Sequence, residues 1–182
     1  MSFMEINNSD LSSKLNRVAG AMQDTAPLTA AIAGSLVVVV DDNFAAQGRP
    51  RWAGRKPSTI KNYQRRGLSY GGVLQLSGDL RSRITSSSNQ DSASIGSNMP
   101  YAAIQHFGGT IKHPGGTRYQ KGAHLASFTK NSFTGPTSGV TGVHDIQIKA
   151  RPYLPMDENG FLQPEAEVEI FKDVDFYWKK FF

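Results

Sequence analysis

Residues 101–116 read YAAIQHFGGTIKHPGG, and the fold turns on what this stretch is. An apolar helical patch over Tyr101–Phe107 carries His106 and runs into Gly108-Gly109. A second histidine, His113, then stands beside Pro-Gly-Gly. Read as chemistry, the pair would hold a metal or serve catalysis. Read as architecture, it is a short helix stopped by a glycine in the left-handed region, where a Cβ would clash. Spacing favours architecture. His106 and His113 are seven apart across a glycine break, and His124 and His144, the remaining histidines, complete no H-E-x-x-H or comparable pattern.

Other chemistries find equally little support. There is no cysteine, which removes disulfides, thiolate metal sites and cysteine nucleophiles and fits a reducing compartment. No G-x-S-x-G elbow accompanies the histidines, and GGTIKHPGG lacks the spacing of a phosphate loop. Acid/base pairs would have to come from the acidic C-terminal stretch, where a solvated helix face is the simpler reading. The start of the chain has no basic segment followed by an apolar one, so no signal peptide is expected. The run AAIAGSLVVVV at 30–40 is too short to span a bilayer and reads as a buried helix, so a soluble, intracellular protein is expected.

Working outward, helical periodicity dominates both ends. Leu11, Leu15, Val18, Ala19 and Met22 form one stripe over residues 9–24, with Asn8 or Ser9 as cap. Leu28, Ile32, Leu36, Val39 and Val40 form another, opening at Thr25-Ala26-Pro27 and stopping at Gly48. A third helix over about 58–66 is expected to be capped by Ser58, with Ile60 and Tyr63 inward and Trp52 as its lid. LSGDLRSRI reads as a short turn or helix entering a strand. RITSSSNQDSASIGS reads as a hairpin with Ile84 and Ile95 on one side. Residues 110–142 look like one long glycine-rich loop. After it VHDIQIK alternates as a strand, and ARPYL closes it with Tyr153 and Leu154 buried and Arg151 held by a carboxylate or carbonyl. The amphipathic C-terminal helix from Pro164 places Ile170, Phe171, Val174, Tyr177, Trp178 and Phe181 on a core-facing stripe, leaving Phe176 and Phe182 off it.

The formal net charge of +5 is unevenly distributed. Residues 49–151 hold fifteen lysines and arginines against Asp79, Asp91 and Asp145, between acidic ends. The densest cluster is Arg49, Arg51, Arg55, Lys56, Lys61, Arg65 and Arg66, with no acid inside it. It is either a solvated face or a phosphate-facing one. Trp52 and Tyr63 within it could stack on bases, although such aromatics are more often core anchors.

The order of these features resembles the phage virion morphogenesis family, the Mu-like G-type proteins related to tail-completion and neck proteins. The resemblance rests on a tryptophan, then PSTIKNYQRRG, LQLSGDLRSRI, GSNMPYAAIQHFGG and, about forty residues later, ARPYL, and it runs over roughly residues 8–182. It implies an α+β subunit with a curved antiparallel sheet packed by helices, on which Tyr101, Ile104 and Phe107 would lock the short helix. It further implies a single tail-completion or neck domain over 1–182, with 110–142 as an assembly loop and no catalytic residue, cofactor or metal. Relatives form rings, commonly hexameric, at the head–tail junction or the top of the tail, through which DNA passes. The expected partners are therefore further copies of the chain, other neck, connector or tail proteins, and genomic DNA met without sequence preference, with no membrane. The seven basic residues are the expected DNA-facing set. Tyr119, Leu125, Phe128 and Phe133 of the loop, with Phe176 and Phe182, are the expected subunit or partner contacts. The competing readings are an accessory hydrolase using His106 or His113, and a monomeric nucleic-acid-binding protein.

Overall fold

Helix α2, Ala26–Ala46, carries much of the buried core in this computed structural model. The structure describes residues 9–116, 118–121, 126–128, 139–157 and 159–181. The other helices are α1 (Ser9–Gln23), α3 (Pro57–Arg65), α4 (Asp79–Ser82), α5 (Ala102–Phe107) and α6 (Pro164–Lys179). The strands are β1 (Ile84–Ser88), β2 (Ala93–Ser97), β3 (Gly109–His113), β4 (Arg118–Lys121), β5 (Ala126–Phe128), β6 (Gly139–Val140) and β7 (His144–Ile148). The α+β class holds. Among the described residues all pairing is antiparallel, in two ribbons, β1–β2 and β3–β7, and a small sheet ordered β5-β4-β6, rather than in one continuous sheet.

α2 is long and apolar enough to cross a bilayer by length and composition alone, more than its 30–40 run indicated. Here it is the core helix. Leu36, Val39, Val40 and Phe44 are buried, each worth about 1.5–3 kcal/mol against exposure. One side of α2 meets the β1–β2 hairpin and another meets α6. Phe44 lies edge-on to Trp52 at 5.5 Å and against Tyr153 at 5.7 Å. Trp52 is thus a core residue whose Nε1–H donates to the Pro152 carbonyl at 2.9 Å, and not a lid on α3. Buried Asn43 satisfies every polar atom it brings inside. Its Nδ2 donates to the Tyr153 carbonyl and to Gln163 Oε1, and its Oδ1 accepts from Arg49 Nε at 2.8 Å.

The hairpin has the expected facing. Ile84 pairs with Ser97 and Ser86 with Ile95, so Ile84 and Ile95 share the side that packs on the core. Its turn is tied to the α1–α2 junction, where Thr25 and Thr29 hydroxyls donate to the Gln90 and Asn89 carbonyls.

Several expectations are corrected by packing. α2 ends before Gly48, with Gln47 left-handed at φ 61° and its side-chain amide donating to the Phe44 carbonyl. α3 begins at Pro57 with Lys56 at its cap, so Ser58 lies inside the helix. α5 buries Ala102 and His106, one turn apart, while Tyr101 and Phe107 are exposed. Residues 109–113 are not loop. The β-branched Thr110 and Ile111 pair with β7 from Gly109↔Ile148 to His113↔His144, and the excursion begins only after His113. On α6 the small Ala166 lets α2 approach and centres the buried arc on Ala166, Ile170 and Tyr177, which leaves Phe171 70% exposed. The apolar stripe of α1 also faces outward: Leu11 and Leu15 are each 58% exposed and Met22 66%.

Candidate functional site

The junction of α5 and β3 is a structural staple. His106 is 2% exposed. Its Nδ1 accepts from the Tyr153 amide at 3.2 Å, which fixes the proton on Nε2, and Nε2 donates to the Met156 carbonyl at 3.1 Å. Burial holds its pKa below the ordinary 6.5 and keeps it neutral. With both ring nitrogens bonded to backbone, His106 has no lone pair or proton left for a substrate. His113 stacks on His144 at 4.8 Å and accepts from the Gly115 amide, which is the chemistry of a turn. Among the described residues no group of histidines and carboxylates is placed to hold a metal ion.

Gly108 and Gly109 both have positive φ, 73° and 141°, and carry the chain from α5 directly into β3. The ARPYL segment then crosses this junction. Tyr153 is buried, Leu154 half-buried, and the Arg151 amide donates to the Gln105 carbonyl. The Arg151 guanidinium finds carbonyl partners, Ala53 at 3.0 Å and Gly54 at 3.3 Å, as expected of a residue flanked by core.

The seven basic candidates divide into two groups. Arg49 is turned inward, bonded to Asn43 and the Val39 carbonyl and 3.9 Å from Asp42. Arg55 donates to the Gly71 and Gly72 carbonyls and lies over the Tyr70 and Tyr63 rings, at 4.9 and 5.7 Å. Tyr63 therefore supports a cation. Lys56 donates to the Gln147 carbonyl of β7 at 3.4 Å. Arg51, Lys61, Arg65 and Arg66 are exposed, and Arg65 makes a short-range bond to Asn62 on its own helix. Arg55 and Lys56 share a groove with Lys149 and Arg151. Sequence reading did not group these four, because Lys149 and Arg151 are nearly a hundred positions away and only the β7 register brings them in.

Of the six contact candidates, Phe176 is 66% exposed, with Lys180 Nζ 4.5 Å from its ring centre. Tyr119 and Phe128 are directly paired in the backbone register of β4 and β5. Leu125, Phe133 and Phe182 lie outside the described residues. Sequence reasoning missed Leu11, Leu15, Met22, Val168 and Phe171 as exposed apolar surface. Helical periodicity identifies an apolar face without saying what covers it.

Compared with known proteins, residues 6–175 match the phage virion morphogenesis family. The chain is 30% identical over 177 residues to Mu-like prophage FluMu G protein 2 of Haemophilus influenzae, which covers 97% of this chain and 95% of that protein. No solved structure matches.

Proposed function

The chain belongs to the phage virion morphogenesis family, and from that premise we propose that it forms a ring, commonly hexameric in this reading, at the head–tail junction or the top of the tail. The ring completes or joins the tail and lets the genome pass. Membership makes the protein a structural component of the phage virion, not an enzyme, working beside other virion proteins.

The observation that carries the assembled state is the apolar surface the subunit leaves open. The α1 stripe of Leu11, Leu15 and Met22 and the outer face of α6, with Val168, Phe171 and Phe176, expose large side chains in groups. Grouped exposure of this kind marks contact surfaces, whereas scattered single residues do not. Two different faces on one subunit suit the head-to-tail contacts from which rings close. In this reading residues 1–182 act as one domain, and the 114–140 excursion, with Tyr119, Leu125, Phe128 and Phe133, reaches a neighbouring chain.

Arg51, Lys61, Arg65 and Arg66 supply the DNA-facing charge. A lumen needs neutralising cations without base readout, so that the genome slides, and a ring multiplies even one or two residues per subunit into a basic collar. Native mass measurement of the purified protein, alone and with tail components, tests the reading. A closed ring supports it, and a chain that stays monomeric under both conditions removes it.

A further inference from the structure

Arg55, Lys56, Lys149 and Arg151 line one groove of about 520 Å³, and among the described residues no carboxylate lines it. Their hydrogen bonds go to neutral carbonyls: Gly71 and Gly72 for Arg55, Gln147 for Lys56, Ala53 and Gly54 for Arg151. Carbonyl dipoles orient these cations without cancelling them. Arg151 feels the surplus, since burial and then the nearby Arg55 charge hold its pKa below the usual arginine value. Like charges gathered in a concave, partly apolar site focus a field that an anion relieves.

The remaining lining says what kind of anion fits. Val73 and Leu74 supply apolar wall, and so do Ile146 and Ile148 of β7. Among the described residues β7 pairs with β3 alone, and no described strand lies along its other edge. The Gln147 carbonyl, which Lys56 reaches, opens into the groove. A second hollow of about 430 Å³ shares Arg55, Tyr63, Leu74 and Gln105 with the first and adds one carboxylate, Asp79, to its lining. A trough with apolar walls, a strand edge with no described partner and unneutralised cations matches an extended chain that bears carboxylates on one face and apolar groups on the other. A rigid duplex meets protruding cations instead, such as exposed Arg51, Lys61, Arg65 and Arg66.

We propose that this groove binds an extended acidic segment of a partner polypeptide, laid along that edge of β7 with its carboxylates on Arg55, Lys56, Lys149 and Arg151. The site is independent of ring formation and is tested on the free full-length chain. Fluorescence polarisation with a labelled octapeptide alternating valine and glutamate should show saturable binding. The Lys56→Glu plus Lys149→Glu variant should weaken it at least tenfold at an unchanged melting temperature, because both lysines are exposed. Lys56→Gln plus Lys149→Gln should fall between, and decides the matter if charge reversal disturbs folding. A peptide with glutamine in place of glutamate should bind as weakly as the reversed variant. Absence of binding, equal binding by the glutamine peptide or by either variant, or tighter binding of a thymidine octanucleotide would each overturn the proposal, the last in favour of a nucleic-acid groove.

Discussion

A Cβ on Gly108 would stand 2.6 Å from the Ala150 nitrogen and 3.0 Å from the Ile148 carbonyl oxygen, at a φ of 73°. Both are backbone atoms, which leaves nothing soft to move. Gly108→Val should therefore cost about 1–3 kcal/mol or more in denaturant unfolding. Gly54→Ala, where added atoms meet open space, should cost under about 1 kcal/mol. Equal effects would mean that the junction is not strained as described. His106 gives a prediction in pH. Its folded pKa lies below the ordinary 6.5, so the unfolded chain takes up the proton first. The stability it contributes is complete above about pH 6.5 and falls as pH drops through 6.5 towards the folded value. His106→Gln should flatten the slope of melting temperature between about pH 7 and 5, and an unchanged slope would contradict a buried neutral imidazole. At this scale the sequence was legible in part. A glycine pair after an apolar turn announces positive φ. Nothing near His106 in sequence announces that its partners are Tyr153 and Met156, because those contacts exist only once ARPYL folds across α5.

Among the helices, the same periodic signal led to different outcomes. The stripe of α2 is core, that of α1 faces out, and that of α6 is rotated so that Phe171 leaves the buried arc and Tyr177 anchors it. The Tyr177 hydroxyl shares its one proton between the Asp24 and Ala21 carbonyls, at 2.9 and 3.1 Å, tying α6 to the end of α1. Tyr177→Phe should cost about 1–2 kcal/mol. Phe171→Ser plus Phe176→Ser should change stability by less than about 1 kcal/mol while weakening assembly. A large loss of melting temperature in the double variant would make these residues core. Periodicity gives the apolar arc to within a residue; which part is covered depends on where a small residue such as Ala166 lets a neighbour close in. The 110–142 segment failed as a loop for a related reason. Its first residues gain a partner, β7, that lies more than thirty positions downstream. Deleting 114–140 joins His113 to Thr141 and leaves a short connection for the β3–β7 ribbon. The product should fold and should no longer assemble, and a variant that still forms rings would remove the excursion from the interface.

For the whole molecule, the charge asymmetry read from sequence has resolved into two surfaces. Arg49, Arg55 and Arg151 are bonded within the fold, while Arg51, Lys61, Arg65 and Arg66 remain at the surface. Composition could not separate them, since the separation depends on which carbonyls the fold presents. If the exposed set forms a collar, Arg65→Glu plus Arg66→Glu should leave the ring intact, reduce DNA retained in particles, and lower infectivity. Binding of DNA by the wild type should weaken steeply as salt rises. Should the double variant fail to assemble at all, these arginines belong to a subunit contact, with the acidic face of α6 in a neighbour as the natural counterpart. The most direct test of the account is a cryo-electron microscopy map of the head–tail junction in intact particles. The account predicts a closed ring of this chain around the DNA channel, with α1 and the outer face of α6 covered by neighbours and Arg65 and Arg66 towards the lumen. A mature junction without this chain, or one holding it as isolated copies with those helix faces bare, would contradict it.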